Sequence, residues 1–464
     1  MMLRFDPSEL AKWCSGEWSK VPTSPISGFT IDTRNLGAGQ LFVALEGERD
    51  GHNFIDMAKA GGASGALVSR LVSAREFPQL VTQSPLASLQ RIARSHRNNF
   101  LGKVVGITGS CGKTSTKDML STFLGVEKTL FTQGNFNNHL GVPLTLLGMD
   151  DQIHEYAVVE AGINHVGEMR TLRDMITPNF AIVTNIGSSH LEGLISEEII
   201  AREKSMLLGS TENLELVIFP EDCLKFEDFK RIRQREEIRS IVLINGEPHG
   251  KVPPNTAYFQ FRTETNITGN PSALRLWCSG FPVLTLETCA MSKGMSSNLA
   301  LAAVAALELG IQQDDFFERL PQYAPSALRG RVLQGRGRAY FIDCYNANPS
   351  SMIDSTSHFA DSCEGKPKLF VLGGMEELGE KEVELHRATG REVALGKADL
   401  ALMIGEKASW MAEGMLEAGN SPDQIMLLED KEAARPVIED FDGAVLFKGS
   451  RKNKLETLVP SWAV

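Results

Sequence analysis

The sequence predicts an α/β fold with three domains, and three observations lead to this prediction. The chain has 464 residues, which corresponds to roughly three domains at about 150 residues each. Short apolar runs of strand length alternate with helical patterns along most of the chain, as they do in α/β proteins. The apolar run Val104–Ile107 also breaks into a glycine-rich loop and then enters a helical segment, the order typical of a phosphate-binding loop.

The composition is that of an ordinary soluble globular protein. With 47 Lys and Arg against 58 Asp and Glu, the formal net charge is −11, which argues against nucleic acid or an anionic membrane surface as the main partner. No apolar run reaches the roughly 18 residues of a membrane span, and the N-terminal MMLRFDPSEL lacks a signal-peptide core. We therefore expect a cytoplasmic protein. The seven scattered cysteines include no C-x-x-C pair, which favours neither a disulfide framework nor a zinc site.

Residues 1–98 form a small N-terminal α/β domain in this interpretation. Strands are predicted at 28–32, 41–45 and 65–68, with helices at 53–60 and 86–98. The segment IDTRNLGAGQLFVALEGERDGHNFI between them is rich in Asp, Arg, Gly and His. Each of these polar residues, taken alone, is explained by a solvated loop.

The glycine-rich loop reads GSCGKTS from Gly109 to Ser115. Glycine lets the backbone approach an anion closely, and the N–H groups at the helix start can bind phosphate. Lys113 can reach the β- and γ-phosphates, and the Thr114 hydroxyl is placed to bind Mg²⁺. The strict eight-residue P-loop has glycine where this chain has Ile107, and a tight turn without a ligand is the alternative. Cys111 is either a thiol activated by the helix N-terminus or a plain small loop residue.

Polar side chains follow the predicted strands of the central region, where open α/β sheets bind ligands. Glu160 ends the strand 156–160 and offers the hard oxygen that Mg²⁺ prefers. His190 follows the strand 180–185, although a lone histidine is also explained as a satisfied structural residue. Lys204 lies on an amphipathic helix whose solvated face would explain it equally well. Three amides after the strand 129–132 either cap turns or bind a polar substrate: Asn135, Asn137 and Asn138.

Residues 99–322 thus form a central P-loop domain with a parallel sheet. Residues 239–290 change to short alternating strands at 257–261, 273–277 and 283–286, which predict a small antiparallel satellite sheet. An alanine-rich helix follows at 296–309, with Asn298 near its start. Pro321 and Pro325 then mark a domain boundary.

Residues 323–464 predict a C-terminal Rossmann-like α/β domain. Its strands are expected at 339–343, 368–372, 400–404, 424–428 and 443–448, and its helices at 350–360, 383–394, 408–418, 431–440 and 454–458. Polar groups cluster at the strand ends in DCYNANPS, GGMEELGE and KGSRKN. An α/β domain without its own phosphate loop usually serves as a lid or substrate holder.

Together these motifs resemble the Mur ligase family, the ATP-dependent amide ligases that build the peptide stem of peptidoglycan. The resemblance covers nearly the whole chain and rests on IDTR, LFVALEGER, GSCGKTS, GNFNNHLGVPLTLL, EAGINHVGE, TNIGSSHLEG, Gly330–Arg331, YNANPSSM, MEELGE and KGSR. YNANP together with M-x-ELG resembles the branch of the family that adds D-alanyl-D-alanine. The resemblance implies the substrates UDP-N-acetylmuramoyl-tripeptide, D-alanyl-D-alanine and ATP, and two Mg²⁺ ions.

The resemblance also implies residue roles. Thr33 and Arg34 would hold the UDP end of the substrate, and Lys204 would become a carbamate by reaction with CO₂, which turns a cation into a ligand for Mg²⁺. Thr114, Glu160, His190 and the Lys204 carbamate would bind metal. The implied ATP site is Gly109, Ser110, Cys111, Gly112, Lys113, Thr114, Ser115, Asn298, Arg331 and Asp343, and the implied catalytic residues are Lys113, Glu160, His190, Lys204 and Arg331. The residues facing the dipeptide and the reacting carboxylate would be Asn346, Ala347, Asn348, Lys448, Ser450 and Arg451.

Several positions depart from the family pattern. Gly294 and Met295 stand where the family usually has His and often Asn before Asn298, so adenine recognition must differ in detail. The other departures are Met206 in place of an acidic residue, Gly374 in place of Asp, and Ile342 before Asp343 where an acidic pair is expected.

The resemblance implies that ATP phosphorylates the tripeptide carboxylate and that the dipeptide amine then attacks the acyl phosphate. We expect a monomer. The alternatives are another amide ligase, either a Mur ligase adding one amino acid or a folylpolyglutamate synthase-like enzyme, and a non-catalytic nucleotide-binding protein. The non-catalytic alternative would need Lys113 but neither Glu160 nor Lys204.

Overall fold

A computed structural model describes residues 4–72, 76–189, 191–209, 212–245, 253–264, 272–335 and 337–460. Three β-sheets, one in each predicted domain region, organise these residues. This arrangement confirms the predicted three-part α/β fold. Within the described residues, no helix is both long and apolar enough to cross a membrane. All seven cysteines are free thiols.

The N-terminal region contains a five-stranded sheet in the order β1-β5-β4-β3-β2, in which only the β1–β5 pair is antiparallel. The helix that leaves this region begins at Pro85, and the Ser84 hydroxyl caps it by accepting the Ala87 N–H. Near the end of this helix, buried Arg97 donates to the carbonyls of Ile176 and Thr177, which fixes the region against the central sheet. The elements are α1 (Pro7–Cys14), β1 (Glu17–Trp18), β2 (Phe29–Thr30), β3 (Leu41–Val43), α2 (Ile55–Ala60), β4 (Gly65–Val68), β5 (Gln79–Val81) and α3 (Pro85–Asn99).

The central region is built on a nine-stranded sheet. Its strands are β6 (Lys103–Thr108), β7 (Thr129–Phe131), β8 (Tyr156–Glu160), β9 (Phe180–Val183), β10 (Leu216–Pro220), β11 (Arg239–Ile244), β12 (Thr256–Glu264), β13 (Ser272–Cys278) and β14 (Phe281–Thr288). Its helices are α4 (Lys113–Leu124), α5 (Gly141–Leu146), α6 (Glu168–Ile176), α7 (Leu191–Leu194), α8 (Glu197–Ser205), α9 (Glu227–Arg233), α10 (Lys293–Glu308) and α11 (Gln313–Arg319).

The strand order β14-β13-β12-β11-β10-β9-β6-β8-β7 places β6 between β8 and β9. The chain leaves β6 toward the β7 edge, returns through β8 and later continues on the other side through β9. This reversal creates a crevice at the carboxyl end of β6, where α/β sheets typically bind ligands. The glycine-rich loop lies at this position.

The antiparallel pairing of the last three strands is confirmed, but their separation into a satellite sheet is not. β12 pairs with β11 in parallel, with Ser240 opposite Thr256, and β13 and β14 continue the same sheet. The prediction omitted β11, whose strand 239–244 joins the two parts. β11 is buried from Ser240 to Ile244. The backbone N–H and C=O groups on its side away from β10 therefore need hydrogen-bond partners, which β12 supplies.

The C-terminal region contains a six-stranded sheet in the order β15-β16-β20-β17-β18-β19. Only β15 and β16 are antiparallel, and the rest is parallel as in Rossmann-like domains. The helix predicted at 454–458 is a short 3₁₀ turn over Leu455–Leu458. The elements are β15 (Arg331–Gly335), β16 (Arg338–Asp343), α12 (Pro349–Ser362), β17 (Lys368–Gly373), α13 (Glu382–Arg391), β18 (Leu400–Ile404), α14 (Glu406–Glu417), β19 (Ile425–Leu428), α15 (Ala434–Asp440) and β20 (Ala444–Lys448).

Candidate active site

A cavity of about 910 Å³ lies between the central and C-terminal sheets. The central region contributes the glycine-rich loop, residues 134–135 and 137–139, Glu160 and the start of α10. The C-terminal region contributes Asp343, the segment 345–348, one face of α12 and Lys448. The cavity therefore brings together sequence motifs that are more than 300 residues apart.

Two glycines give the phosphate loop its path. Gly109 and Gly112 have φ angles of 151° and 79°, values that favour glycine. A Cβ added at Gly109 would lie 1.9 Å from Thr184 Oγ1, and one at Gly112 would lie 2.2 Å from Asn298 Oδ1. The loop therefore has room for neither side chain, and Asn298, which the resemblance assigns to nucleotide binding, lies against Gly112.

Side chains that follow β9 hold the loop in place. Asn185 Oδ1 accepts the Cys111 N–H at 2.9 Å, and the Thr184 hydroxyl donates to the Cys111 carbonyl. The Ser110 hydroxyl donates to the Gly187 carbonyl at 2.8 Å. These bonds fix the loop before any ligand binds, so its backbone is preorganised for an anion.

Two lysines converge on one carbonyl of the loop. Lys113 Nζ donates to Gly109 O at 2.7 Å, and the fully buried Lys204 donates to the same oxygen at 3.0 Å. Burial lowers the pKa of Lys113, and the nearby Glu160 carboxylate partly opposes this effect. Burial lowers the pKa of Lys204 well below its usual value, and the neighbouring charge of Lys113 lowers it further. A negatively charged ligand at the loop would relieve this concentration of positive charge.

Glu160 combines complete burial with an unused oxygen. Its Oε2 accepts from the Thr114 hydroxyl at 3.3 Å and from Asn137 Nδ2 at 3.4 Å. Among the described residues its Oε1 has no hydrogen-bond partner, and Lys117 Nζ lies 3.8 Å from it. A buried carboxylate oxygen without a partner is costly, and a carboxylate beside a threonine hydroxyl is a donor pair suited to Mg²⁺.

The other metal ligands that the resemblance implies can be described only in part. His190 lies outside the described residues. Among the residues that the structure describes, no group of three or more His, Cys, Asp or Glu side chains is positioned to hold a metal. Thr114, Glu160 and Lys204 are therefore the implied ligands whose surroundings can be described.

The three amides of residues 135–138 separate into different roles. Asn138 Oδ1 accepts the N–H groups of Leu140 and Gly141 at 3.0 Å each, so it caps the turn before α5. Asn137 contacts Glu160, and Asn135 lines the cavity. The capping alternative thus accounts for the side-chain oxygen of Asn138 alone.

The opposite wall contains an ordered polar network. Lys448 Nζ lies 2.9 Å from Asp343 Oδ2 and donates to the Asn346 carbonyl at 2.9 Å. Asn348 caps α12 by accepting the Ser351 N–H, and its side chain also contacts the Cys111 thiol, with Oδ1 3.2 Å from Sγ. The C-terminal region therefore touches the phosphate loop directly.

Some implied site residues lie away from this cavity. Arg331 is exposed on β15 and does not line the cavity, whereas Arg329 does, with its guanidinium 4.0 Å from the Tyr345 ring centre. Arg451 is paired with Glu456. Ala347 lines the cavity, while Ser450 lies behind it and donates to the Ala347 carbonyl. Two further residues, Thr33 and Arg34, lie in the N-terminal region on a 3₁₀ turn.

Two departures from the family pattern have a structural explanation. A Cβ at Gly374 would lie 2.6 Å from Lys407 Cβ, so the Lys407 side chain fills the space of the missing aspartate. A Cβ at Gly294 would lie 2.6 Å from Asp354 Oδ2. In both places glycine makes room for a charged side chain from the C-terminal region. Nothing in the structure explains Met206.

The sequence interpretation missed four residues that the structure places at the site. Lys117 lies one helical turn after Lys113, a spacing that could have indicated it. Asn185 is part of the motif TNIGSSH, where only the histidine was selected. Arg329 and Asp354 reach the cavity only through the packing of the two sheets, and no local pattern marks them.

The chain matches two family models. Residues 107–306 match the Mur ligase middle domain, and residues 329–451 match the Mur ligase glutamate ligase domain. Two curated relatives are both named UDP-N-acetylmuramoyl-tripeptide--D-alanyl-D-alanine ligase. The Bacillus subtilis protein is 30% identical over 94% of this chain and 92% of its own length, and the Escherichia coli protein is 29% identical over 99% and 98%.

Solved structures agree with these relatives. A crystal structure of MurF from Acinetobacter baumannii superposes with a TM-score of 0.84 at 28% identity, covering 98% of both chains. MurF ligase from Thermotoga maritima in complex with ADP gives a TM-score of 0.77 at 25% identity, covering 93% of this chain and 96% of the other. The motifs, the fold and these matches agree along nearly the whole chain, which therefore belongs to the Mur ligase family.

Proposed function

We propose that this chain is an ATP-dependent ligase that joins D-alanyl-D-alanine to UDP-N-acetylmuramoyl-tripeptide. The products would be UDP-N-acetylmuramoyl-pentapeptide, ADP and phosphate, and the pentapeptide would serve peptidoglycan synthesis, cell shape and cell division. The observation that carries the proposal is the shared cavity, in which Lys113 and Glu160 face Asn346 and Lys448 of the other α/β unit. The names of the full-length relatives support the choice of substrates.

The reaction must first activate a carboxylate, which is a poor electrophile. A carboxylate oxygen of the tripeptide forms a bond to the γ-phosphorus of ATP while the bond to ADP breaks. The dipeptide amine then attacks the acyl carbon, the C–N bond forms, phosphate leaves and the amine loses a proton. Lys113 offsets phosphate charge at the loop, and Lys448 offers positive charge on the facing wall.

Thr114 and Glu160 would hold Mg²⁺, joined by His190 and a modified Lys204, for two ions in all. Bound Mg²⁺ would offset the charge of the phosphate oxygens. The unpartnered Oε1 of Glu160 supports this assignment. Asn137 orients the carboxylate, and the Thr132 hydroxyl holds the backbone of Glu160 by accepting its N–H at 2.9 Å.

Lys204 is suited to become a carbamate. Its burial and its lowered pKa favour the neutral amine, which is the form that reacts with CO₂. The nitrogen bonds to the carbon of CO₂ and one proton leaves, so a buried neutral amine becomes an anion. The anion would attract Lys113, which donates to the same Gly109 carbonyl.

The three regions would divide the substrates between them. Residues 1–98 would bind the UDP end through Thr33 and Arg34, residues 99–322 would bind ATP, and residues 323–464 would present the dipeptide. Because both walls meet at the loop, closing them would exclude water from the acyl phosphate. The protein would act as a cytoplasmic monomer with small-molecule substrates and without nucleic acid.

The decisive experiment is a reconstituted ligase assay. Purified protein with ATP, Mg²⁺, UDP-N-acetylmuramoyl-tripeptide and D-alanyl-D-alanine should release phosphate and form pentapeptide in equal amounts. Tripeptides with meso-diaminopimelate and with lysine at the third position are compared side by side. Lys113→Met should abolish both products, whereas Lys128→Met, a substitution on the surface after α4, should leave both unchanged.

Other outcomes would identify the alternatives. Phosphate release only with a single amino acid, or with a folate and glutamate, would indicate another amide ligase. ATP binding without any phosphate release from all acceptors would indicate a non-catalytic nucleotide-binding protein. Undiminished activity of Lys204→Ala would contradict the role of Lys204.

A further inference from the structure

An interdomain contact at the start of α10 involves a residue that no motif includes. The Gly294 N–H donates to Asp354 Oδ1 of α12 at 3.0 Å. A Cβ at position 294 would lie 2.6 Å from Asp354 Oδ2, closer than real side chains approach. Asp354 can therefore occupy this position only because residue 294 is glycine.

The contact lies close to the phosphate loop. Asn298 packs against Gly112 of the loop, and Gly294 precedes it by four helical residues, about 6 Å along the axis. Gly294, Met295 and Asp354 line the same cavity as the loop. A nucleotide whose phosphates occupy the loop would thus extend its ribose and base toward Asp354.

The carboxylate of Asp354 has one oxygen available for a ligand. Oδ1 accepts the Gly294 N–H, whereas no hydrogen bond to Oδ2 and no ion pair with Lys or Arg is found among the described residues. A carboxylate oxygen only accepts hydrogen bonds. It would attract the 6-amino group of adenine and repel the 6-oxo group of hypoxanthine or guanine.

We propose that Asp354 selects a 6-aminopurine nucleotide, in place of the side chains that the family has at positions 294 and 295. The inference rests on the proposed use of ATP. It adds the residue that would distinguish ATP from 6-oxopurine nucleotides. Met295 beside it would offer apolar surface to the base. Asp354 belongs to the C-terminal region, so recognition of the base would also draw the two walls of the cavity together.

The test measures dissociation constants by calorimetry with MgATP and with MgITP, which carries the 6-oxo group. The wild-type protein should bind ATP at least about tenfold more tightly than ITP, since a hydrogen bond to a charged group discriminates by this order. Asp354→Asn keeps an oxygen for the Gly294 N–H and places an N–H donor at the other position. This variant should reduce the preference to about threefold or less.

Two further variants separate base recognition from structure. Asp361→Asn makes the same chemical change at an exposed position later on α12 and should keep the wild-type preference. Gly294→Ala leaves the carboxylate intact but displaces it, and should also weaken the preference for ATP. This second route tests the proposal even if Asp354→Asn fails to fold.

The inference is overturned if wild-type protein binds both nucleotides equally, or if Asp354→Asn and Gly294→Ala keep the full preference for ATP. Calorimetry requires neither the UDP substrate nor the dipeptide, so its outcome is independent of ligation. A protein that selects ATP through Asp354 but forms no pentapeptide would overturn the proposed function alone. Pentapeptide formation with equal binding of ATP and ITP would overturn this inference alone.

Discussion

Lys117 provides the sharpest test of how the central region positions its acidic ligand. Its ammonium is almost fully buried, pairs with Asp118 Oδ1 at 2.7 Å, donates to the Thr132 carbonyl at 2.9 Å and lies 3.8 Å from Glu160 Oε1. Replacing it by Met keeps the length of the side chain and removes the charge. Glu160 then remains buried and loses the cation beside its unpartnered oxygen, with Lys113 left as the other positive charge nearby.

Removing one partner of a buried ion pair costs about 3–5 kcal/mol. We expect the lower end, about 3 kcal/mol, because Asp118 retains partial contact with solvent and Glu160 Oε2 keeps its bonds from Thr114 and Asn137. Urea unfolding in Mg²⁺-free buffer should show a midpoint lowered by about 1 M or more, at a slope of 1–3 kcal/mol per M. The affinity for MgATP should fall as well, since Glu160 loses its orientation.

Lys128→Met is the matched control, because Lys128 forms a partly exposed pair with Glu155 at 3.3 Å. Such pairs contribute less than about 1 kcal/mol, so the midpoint should barely move. If Lys117→Met unfolds at the same urea concentration as Lys128→Met and binds MgATP normally, Lys117 does not position Glu160 and the reasoning fails.

Three further predictions follow from the loop, the buried lysine and the N-terminal region. Gly112→Ala forces an alanine into the left-handed region against Asn298, which should cost about 1–3 kcal/mol and abolish ATP binding in calorimetry, whereas Gly47→Ala, with open space around it, should do neither. Because the pKa of Lys204 is lowered in the folded protein, the unfolded state binds more protons between that lowered value and the usual 10.5. The stability of wild-type protein relative to Lys204→Met should therefore rise with pH in this window in CO₂-free buffer, by up to about 1.4 kcal/mol per pH unit, and an opposite slope in urea unfolding would contradict the burial of a neutral amine. Arg34→Ala should raise the KM for the UDP substrate and leave the thermal midpoint unchanged, because its ion pair is exposed.

The phosphate loop could be predicted because its determinants are contiguous. Gly109, Gly112 and Lys113 lie within five residues, and their backbone requirements are local. The position of Glu160 could also be predicted, because it ends an apolar strand whose composition indicates burial. These predictions needed strand direction and loop geometry but no knowledge of which strands pair.

Other features could not be predicted from the sequence, because each depends on pairing or packing between separate segments. Arg329 lies before β15 and lines the cavity, where its guanidinium packs on the Tyr345 ring, whereas Arg331 on β15 does not line it. The strand 239–244 (β11) lies between β10 and β12 and joins the antiparallel strands to the main sheet. Its pairing with both neighbours cannot be recognised from its own residues. Asp354 meets Gly294 across 60 residues, a contact that no single-sequence pattern specifies.

The arrangement of charge explains how a protein with a net charge of −11 can serve polyanionic substrates. Helices α4, α10 and α12 all begin at the cavity, and their N-terminal residues line it. Each N-terminus carries about half a positive charge. Lys113 adds positive charge at the loop and Lys448, which pairs with Asp343, adds it on the opposite wall, while Lys204 lies just behind the loop. The carboxylates Glu160, Glu168, Asp343 and Asp354 line the same cavity. Positive charge is therefore concentrated at the loop and the helix starts, and Mg²⁺ held by Glu160 would offset further negative charge of the substrates.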